Sequence, residues 1–306
     1  MKSKVATAAS AQHTQRCEPR PCAIASPSPL RVTFDSNVWQ AAVIPSLASR
    51  TDLFADFNTI HEALRAKLIQ GFISETVGTL EAIRNAGRKA YFTSIKPKVN
   101  MQVASASRRG RALNIEVGTT HDQHPGLHKV LEERLEVALA LGLRLMRAPW
   151  MAIPVPAVML SLSVFADEID VPTSAARDNR WGDVVQTIEQ RGVGSALLRS
   201  LQEKAGGRVG GIKDKDFARA VAEWADGDSV ASHIAYGNDF FCTQDQGKSA
   251  GGSSVFDPSN REWLAITYKV RFATVGELAS SLRSMPIESI DKNRALIADV
   301  ESPEND

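Results

Sequence analysis

The amino-acid sequence predicts an α/β fold in which a mainly parallel central sheet is flanked by helices. Short β-prone runs alternate along the chain with longer segments whose apolar residues recur at helical spacing. Parallel strands need crossover connections about as long as a helix, and this alternation supplies them. With 306 residues, 43% hydrophobic and 23% charged, the chain can bury a sizeable core.

The predicted strands are short, and most of them lead into a helix. The first is Leu30–Phe34, where a β-prone run is followed at once by Asp35 and an apolar-periodic segment. The remaining strands of the sheet are predicted at 71–74, 143–146, 238–243 and 270–274. Two further alternating runs, 99–103 and 113–117, predict a hairpin outside this pattern.

The predicted helices follow apolar positions spaced three and four residues apart. Gly71 and Gly87 each follow such a segment, as a glycine in the left-handed conformation does at a helix end. Asp228 is predicted to begin a helix, because Asp226, Gly227 and Asp228 have turn and capping chemistry. The helices are predicted at 55–70, 75–86, 128–141, 178–206, 213–224, 228–236 and 259–268.

The composition predicts one folded domain between two tails. Residues 1–29 are rich in Ala, Ser and Pro and are predicted to form a flexible tail, with an organellar transit peptide as the alternative. Residues 30–285 form the predicted domain, which carries an insertion at about 91–212. Residues 286–306 are predicted to form a second flexible tail.

Cysteine usage and hydropathy predict a cytoplasmic protein that does not span a membrane. The chain has three cysteines, an odd count that fits a reducing compartment better than a disulfide framework. The most apolar stretch, 151–165, contains two prolines and is shorter than the roughly 20 residues of a spanning helix. It is therefore predicted to be buried core.

Positive charge is concentrated in one segment of an otherwise balanced chain. The net charge of +1 gives no overall attraction to nucleic acid, yet residues 84–111 contain eight Lys or Arg and no Asp or Glu. The predicted hairpin would therefore have a basic tip that contacts RNA phosphates. A solvated surface and a docking site for an acidic protein are the alternatives. The residues predicted to bind RNA are Lys96, Lys98, Arg108, Arg109 and Arg111.

Acidic residues are predicted to meet at the carboxyl edge of the sheet, where parallel α/β sheets bind ligands. Asp35 follows the first strand and Asp245 follows the strand at 238–243, while Glu81 and Asp228 lie in neighbouring helices. No Lys or Arg in the sequence is an obvious partner, so the carboxylates would repel one another unless hard divalent cations neutralised them. A pair of Mg²⁺ or Mn²⁺ ions is predicted. Such a pair activates water and stabilises in-line phosphoryl displacement.

Several segments resemble the motifs of PIN-domain nucleases. Residues 32–38, VTFDSNV, resemble the family's opening strand, and residues 74–83 are similar to its second motif. Residues 228–245 resemble its third acid, the following helix, the fourth strand and a Thr-x-Asp sequence. Residues 270–278 resemble its closing strand and helix. The resemblance covers 30–87 and 213–282 and leaves the middle of the chain unmatched.

The resemblance implies a PIN-like three-layer fold and a metal-dependent endoribonuclease that leaves a 5′-phosphate. The implied catalytic and metal-binding acids are Asp35, Glu81, Asp228 and Asp245. Ser36, Asn37 and Thr243 would support them, and Glu75 is the alternative to Glu81 as second acid. It also implies RNA as substrate and, as one role, the toxin of a toxin-antitoxin pair. In that role a small antitoxin would cover the cleft and the toxin would form homodimers.

Other functions fit parts of the same pattern. One is a PIN-like module that binds RNA or protein without cutting. Another is a haloacid-dehalogenase-like phosphatase with Asp35 as nucleophile, but Asn37 and Ser232 stand where its acids are required. The three histidines at 121, 124 and 128 suggest a zinc site, although a loop that enters a helix explains them better.

Overall fold

The computed structural model describes residues 28–83, 85–94, 97–107, 110–119, 124–149, 153–161, 174–247 and 251–285. Except for residues 28 and 29, the two predicted terminal tails lie outside these ranges. Within the described ranges, no helix is long and apolar enough to cross a membrane.

The central sheet contains five strands, and all of them are parallel. In spatial order they are β5, β2, β1, β6 and β7, so the first strand lies at the centre. Their bounds are β1 Leu30–Phe34, β2 Ile69–Ser74, β5 Arg144–Met146, β6 Phe240–Cys242 and β7 Phe272–Ala273. The strands β3 Pro97–Ser107 and β4 Gly110–Thr119 form a separate antiparallel hairpin. The predicted fold class is confirmed.

Helices cover both faces of the sheet. Their bounds are α1 Trp39–Val43, α2 Phe54–Arg65, α3 Asn85–Ser94, α4 Lys129–Ala140, α5 Ala157–Ser161, α6 Ser174–Gln190, α7 Ala196–Lys204, α8 Asp214–Tyr236, α9 Pro258–Tyr268 and α10 Val275–Arg283. Both β5 and α6 fall inside the predicted insertion at 91–212. They nevertheless belong to the sheet and to one of its helical layers.

Two hydrophobic clusters show how β1 organises the three layers. Val32 and Phe34 point to one face, where they pack in a cluster with residues of α1, α2, α4 and α10. On the other face, Phe72 of β2 and Phe241 of β6 pack with α6, α8 and α9. Because successive side chains of a strand alternate between faces, a buried parallel strand needs apolar residues on both sides.

The predicted helix boundaries around the acidic motifs are wrong in two places. The segments 213–224 and 228–236 form one continuous helix, α8, so Asp228 lies within it and does not begin it. Gly227 does not interrupt α8 but allows close packing: an added Cβ would lie 3.1 Å from Cα of Gly194. The predicted helix 75–86 is a π-helical turn, Val77–Glu81, and Gly87 lies inside α3.

Candidate active site

Asp35 is anchored where β1 ends beside β6. Its backbone N–H donates to the Cys242 carbonyl at 3.0 Å, and the residue is only 3% exposed. The carboxylate accepts three hydrogen bonds: Ser36 N donates to Oδ1 at 2.8 Å, Asn37 Nδ2 to Oδ2 at 2.8 Å, and Thr243 Oγ1 to Oδ2 at 2.6 Å. The structure thus places Ser36, Asn37 and Thr243 as supports of this carboxylate.

The pKa of Asp35 is raised to about 6, which shows how strongly its surroundings oppose charge. Burial is the largest cause, and the negative charge of Asp245 adds to it. The hydrogen bonds from Thr243, Ser36 and Asn37 lower the pKa but do not cancel the effect of burial. A cation at this site would favour the charged carboxylate.

Asp245 is connected to Asp35 through a single hydroxyl group. Thr243 Oγ1 donates to Asp35 and accepts a hydrogen bond from the Asp245 backbone N–H at 3.0 Å. Oδ1 of Asp245 accepts from Gly247 N at 2.7 Å, and the side chain is partly buried. The two acids therefore lie at one edge of the sheet, as the strand pattern predicts.

Glu81 reaches the same edge from the π-helical turn after β2. Burial raises its pKa to about 7, and Asp35 raises it further, while a hydrogen bond with the Ser36 side chain and the charge of Arg88 lower it. Arg88 also holds the turn, since its Nη2 donates to the Glu81 carbonyl at 2.8 Å and its Nε to the Ile83 carbonyl at 3.0 Å.

The expectation that these acids have no basic neighbours is wrong. Arg88 lies close enough to Glu81 to lower its pKa. Arg261 of α9 donates from Nη2 to the Asp245 carbonyl oxygen. Burial lowers the pKa of Arg261, and the charges of Asp245 and Asp35 oppose that shift. Arg88 is close to Glu81 in sequence, but Arg261 is brought to Asp245 by the packing of α9, which no local pattern indicates.

Asp226 is an acid of this cluster that the sequence pattern did not indicate. Its pKa is raised well above the ordinary value, first by burial and then by four carboxylates. These are Asp35, Glu81, Glu223 and Asp245. Asp226 therefore lies near the acids of the neighbouring elements. The sequence predicted that Asp228 would lie there.

Asp228 lies on a different side of α8, which corrects the prediction for the third acid. It is 2% exposed, and Trp224 Nε1 donates to its Oδ2 at 3.0 Å. Burial raises its pKa, and the acids that raise it further are Glu189 and Glu75. Two residues along an α-helix correspond to a rotation of about 200°. Asp226 and Asp228 therefore cannot face the same cleft.

Glu75, the alternative second acid, lies close enough to Asp228 to raise its pKa. Its Oε1 accepts from Ala148 N at 2.8 Å, and its Oε2 is 3.7 Å from Nη1 of Arg147. Burial raises the pKa of Glu81, the other predicted second acid, to about 7, and the charge of Asp35 contributes to that rise.

Glu223 is a second acid that the sequence pattern did not indicate. It lies three residues before Asp226 on α8, so the two side chains are neighbours on one helical face. The residue is 2% exposed, and burial raises its pKa to about 7. Hydrogen bonds with Ser254 and the Val255 backbone lower that pKa, while Asp245 raises it. The spacing of three residues between Glu223 and Asp226 in a helical segment is the pattern that could have indicated Glu223 from the sequence.

The donor set fits a hard divalent cation in its chemistry. All the acids of the cluster offer carboxylate oxygens, which Mg²⁺ and Mn²⁺ prefer. Oε2 of Glu223 is buried and has no hydrogen-bond partner among the described residues. Among the described residues, however, no group of three His, Cys, Asp or Glu side chains lies in an arrangement that could hold a metal ion. The carboxylates therefore interact electrostatically without forming a metal site, and their side chains would have to move closer together to coordinate a cation.

The remaining predicted site residues are only partly described. Lys96, Arg108 and Arg109 lie outside the described residues, and Lys98 and Arg111 are described only as backbone positions of β3 and β4. His233, by contrast, is structural: its Nδ1 is 2.9 Å from Thr33 Oγ1 beneath the sheet, and burial lowers its pKa to about 3. His128 caps α4 by accepting from Val130 N.

Comparison with known proteins returns no match to a family model, to a curated protein or to a solved structure. The resemblance to PIN-domain nucleases therefore stays a prediction from the sequence motifs.

Proposed function

We propose that this protein is a metal-dependent nuclease that hydrolyses phosphodiester bonds in RNA. The observation that carries the proposal is the convergence of four acids on one edge of a parallel sheet. Asp35, Asp245, Glu81 and Asp226 come from two strand ends, a π-helical turn and a long helix. Asp35, Glu81 and Asp245 all raise the pKa of Asp226.

Such a cluster is unfavourable without counter-ions. Carboxylates held close together in a partly buried cleft cannot all ionise near neutral pH unless positive charge neutralises them. Arg88 and Arg261 supply part of that charge, but their guanidinium groups are also bound to backbone carbonyls. Bound Mg²⁺ or Mn²⁺ would complete the neutralisation, activate a water molecule and stabilise the charge that develops during phosphoryl displacement.

The protein's own residues position the reacting groups. Three donors orient the Asp35 carboxylate, so its remaining lone pairs face a fixed direction. Thr243 couples that orientation to the Asp245 backbone, and Arg88 holds the turn that carries Glu81. Preorganisation of this kind lowers the cost of reaching the transition state.

The choice of RNA rests on the family resemblance and on the basic segment 84–111. A polyanion attracted to that segment would be guided toward a cleft whose acids are neutralised by cations. The toxin role, the antitoxin partner, the homodimer and the cytoplasmic location rest on the resemblance and the composition alone.

The proposal is tested by incubating the purified chain with a mixed pool of single-stranded and structured RNA in Mn²⁺, Mg²⁺ or EDTA. We expect cleavage only with a divalent cation, with products that carry a 5′-phosphate and can be ligated. Asp35→Asn should abolish cleavage, whereas Asp52→Asn, a change at an exposed position, should not. Thermal melts of both variants would show that they fold.

Cleavage that survives both EDTA and Asp35→Asn would refute the proposal. A non-cutting binder would instead retain RNA in a gel shift with every cation and leave it intact. The phosphatase alternative would hydrolyse p-nitrophenyl phosphate and form a trappable aspartyl-phosphate. Asn37 argues against that alternative, because its amide donates to Asp35 and cannot serve as a general acid.

A further inference from the structure

A groove opens at the amino edge of the sheet, opposite the edge that carries the acids. It lies where α2, α4 and α10 end, beside the start of β1, where Leu30 N donates to the Leu68 carbonyl at 3.2 Å. Its volume is about 860 Å³, which falls within the range of ligand pockets in proteins. The residues that line it are 58, 59, 62–68, 140, 141, 282 and 283.

The floor of the groove is apolar and incompletely covered. Leu64 and Leu282 are buried members of the adjoining hydrophobic cluster. Leu68 and Leu141 pack against that cluster but are only partly buried, and so is Met285, which follows α10. Their exposed apolar surface is in contact with water, and a covering segment would remove it. The groove therefore fits a partner that has apolar side chains on one face.

The rim of the groove is positively charged. Of the residues that line it, Arg65, Lys67 and Arg283 are basic and Glu62 is acidic, a net charge of +2. Glu62 pairs with Arg65 at 3.3 Å, and Arg283 pairs at 2.5 Å with Asp56, which lies outside the lining. Lys67 has no ion pair with any residue that the structure describes. Even with Asp56 counted, the charge stays positive, so an acidic partner is favoured.

Two segments of the chain continue from this edge of the sheet. Residues 1–27 precede β1 and residues 286–306 follow α10, and both lie outside the described residues. The first segment contains four Lys or Arg against one Glu, so the rim would repel it. The second contains six Asp or Glu against two Lys or Arg, so its charge complements the rim. Charge therefore selects the second segment.

The sequence after α10 also has the pattern of an amphipathic helix. Ile287, Ile290, Ile297 and Val300 recur at intervals of three and seven residues, which places them along one helical face. Pro286 cannot continue α10, but proline is favoured in the first turn of a new helix. A change of direction at Pro286 would allow the new helix to fold back beside the end of α10.

We propose that residues 287–300 form an amphipathic helix that binds in this groove of their own chain. Its isoleucine face covers Leu68 and Leu141, and its acidic residues approach Lys67. Since only residues 284–286 separate the segment from α10, it binds at a high effective concentration. The inference is independent of the proposed nuclease function. It replaces the flexible tail predicted at 286–306 with an ordered segment.

The test is hydrogen–deuterium exchange of the full chain, followed by mass spectrometry of peptides that cover 287–300. We expect these amides to exchange at least tenfold more slowly in the wild type than in Ile297→Asp, which places a charge on the apolar face. Ala295→Asp is the matched control. It adds the same charge about 200° away around the helix, and its exchange should stay close to that of the wild type.

A substitution in the groove should have the same effect as one in the segment. Ala140→Asp places a negative charge on an exposed residue of the groove wall and should raise the exchange of 287–300 at least tenfold. Ala55→Asp, at an exposed position of α2 outside the lining, should leave it unchanged. Slow exchange of the β1 amides in both variants would show that the domain folds.

Three outcomes would overturn the inference. Exchange in the wild type that is as fast as in Ile297→Asp would show that the segment is not bound. Protection that is lost in Ile297→Asp but kept in Ala140→Asp would place the segment elsewhere. Protection that appears only at concentrations where sedimentation shows a dimer would make a second copy of the chain the occupant. RNA cleavage, which is measured separately, is affected by none of these outcomes.

Discussion

Thr243 Oγ1 lies 2.6 Å from Oδ2 of Asp35 and donates a hydrogen bond to it, although the two residues are 208 positions apart in the chain. The same oxygen accepts the backbone N–H of Asp245 at 3.0 Å. This bond exists because β1 and β6 are adjacent parallel strands, with Phe34 paired to Cys242. One hydroxyl therefore positions both acids that follow these strands.

Thr243→Val should disable the site without removing an acid. The substitution keeps the β-branched shape but removes one of the two donors to Asp35 Oδ2, which keeps its bond from Asn37, and leaves the Asp245 backbone N–H without its acceptor. The loss costs about 1–3 kcal/mol of stability. Loss of a group that orients metal ligands typically lowers metal affinity or activity by about 10–100-fold. Thr243→Ser restores the hydroxyl and should recover most of both. Equal cleavage rates in the Val and Ser variants would contradict this role.

Asp226→Asn and Asp228→Asn should behave differently, although the residues are two positions apart. Asp226 interacts with the acids around Asp35, and its loss should lower RNA cleavage by at least about 100-fold. The Asp228→Asn variant should retain most of the activity, because an amide oxygen can still accept the hydrogen bond from Trp224. The measurement is kcat/KM on one RNA substrate. The opposite ranking would restore Asp228 as the third acid.

The stability of the metal-free protein should depend on pH through Glu223. Its pKa is about 7 when folded, against about 4.3 in an unfolded chain. The folded state therefore binds the proton more tightly, and the stability that this provides is present below about pH 4 and is lost as the pH rises through 7. Glu223→Gln should escape this loss.

Urea unfolding in EDTA at several pH values would measure the effect. The stability of Glu223→Gln relative to the wild type should increase between pH 5 and pH 8 by up to about 3 kcal/mol. Burial lowers the pKa of His233 to about 3, so His233 changes the stability with pH in the opposite direction. Because His233 is present in both proteins, its contribution cancels in the difference between them. A difference that stays constant with pH would show that Glu223 ionises normally.

Neutralising the basic segment should weaken RNA binding and leave metal binding intact. In a variant with Gln at positions 96, 98, 108, 109 and 111, each side chain that no longer neutralises a phosphate should reduce the slope of log affinity against log salt by about 0.7. Filter binding of an RNA to a catalytically inactive background, Asp35→Asn, would measure the slope at several salt concentrations. An unchanged slope would favour the alternative in which this surface docks an acidic protein.

The sheet and its edge could be predicted because their signals are local. Leu30–Phe34 alternates apolar residues and is followed by Asp35, so strand and acid are visible within a few residues. The prediction at Gly227 was wrong for a physical reason. A glycine between two Asp residues is typical of a turn, but here it allows α8 to approach the Gly194 backbone. A local sequence pattern does not indicate a close approach between segments that are distant in the chain.

The sequence by itself determined the α/β class, the order of the strands along the chain, and the position of Asp35 and Asp245 after two strand ends, because hydrophobic periodicity and strand ends are properties of short segments. Only the tertiary structure decided which acids join them. The continuity of α8 and its rotation against the sheet bring Asp226 and Glu223 to the cleft and turn Asp228 away. The orientation of a helix is set by the packing of its whole buried face, and that depends on contacts between residues far apart in the chain.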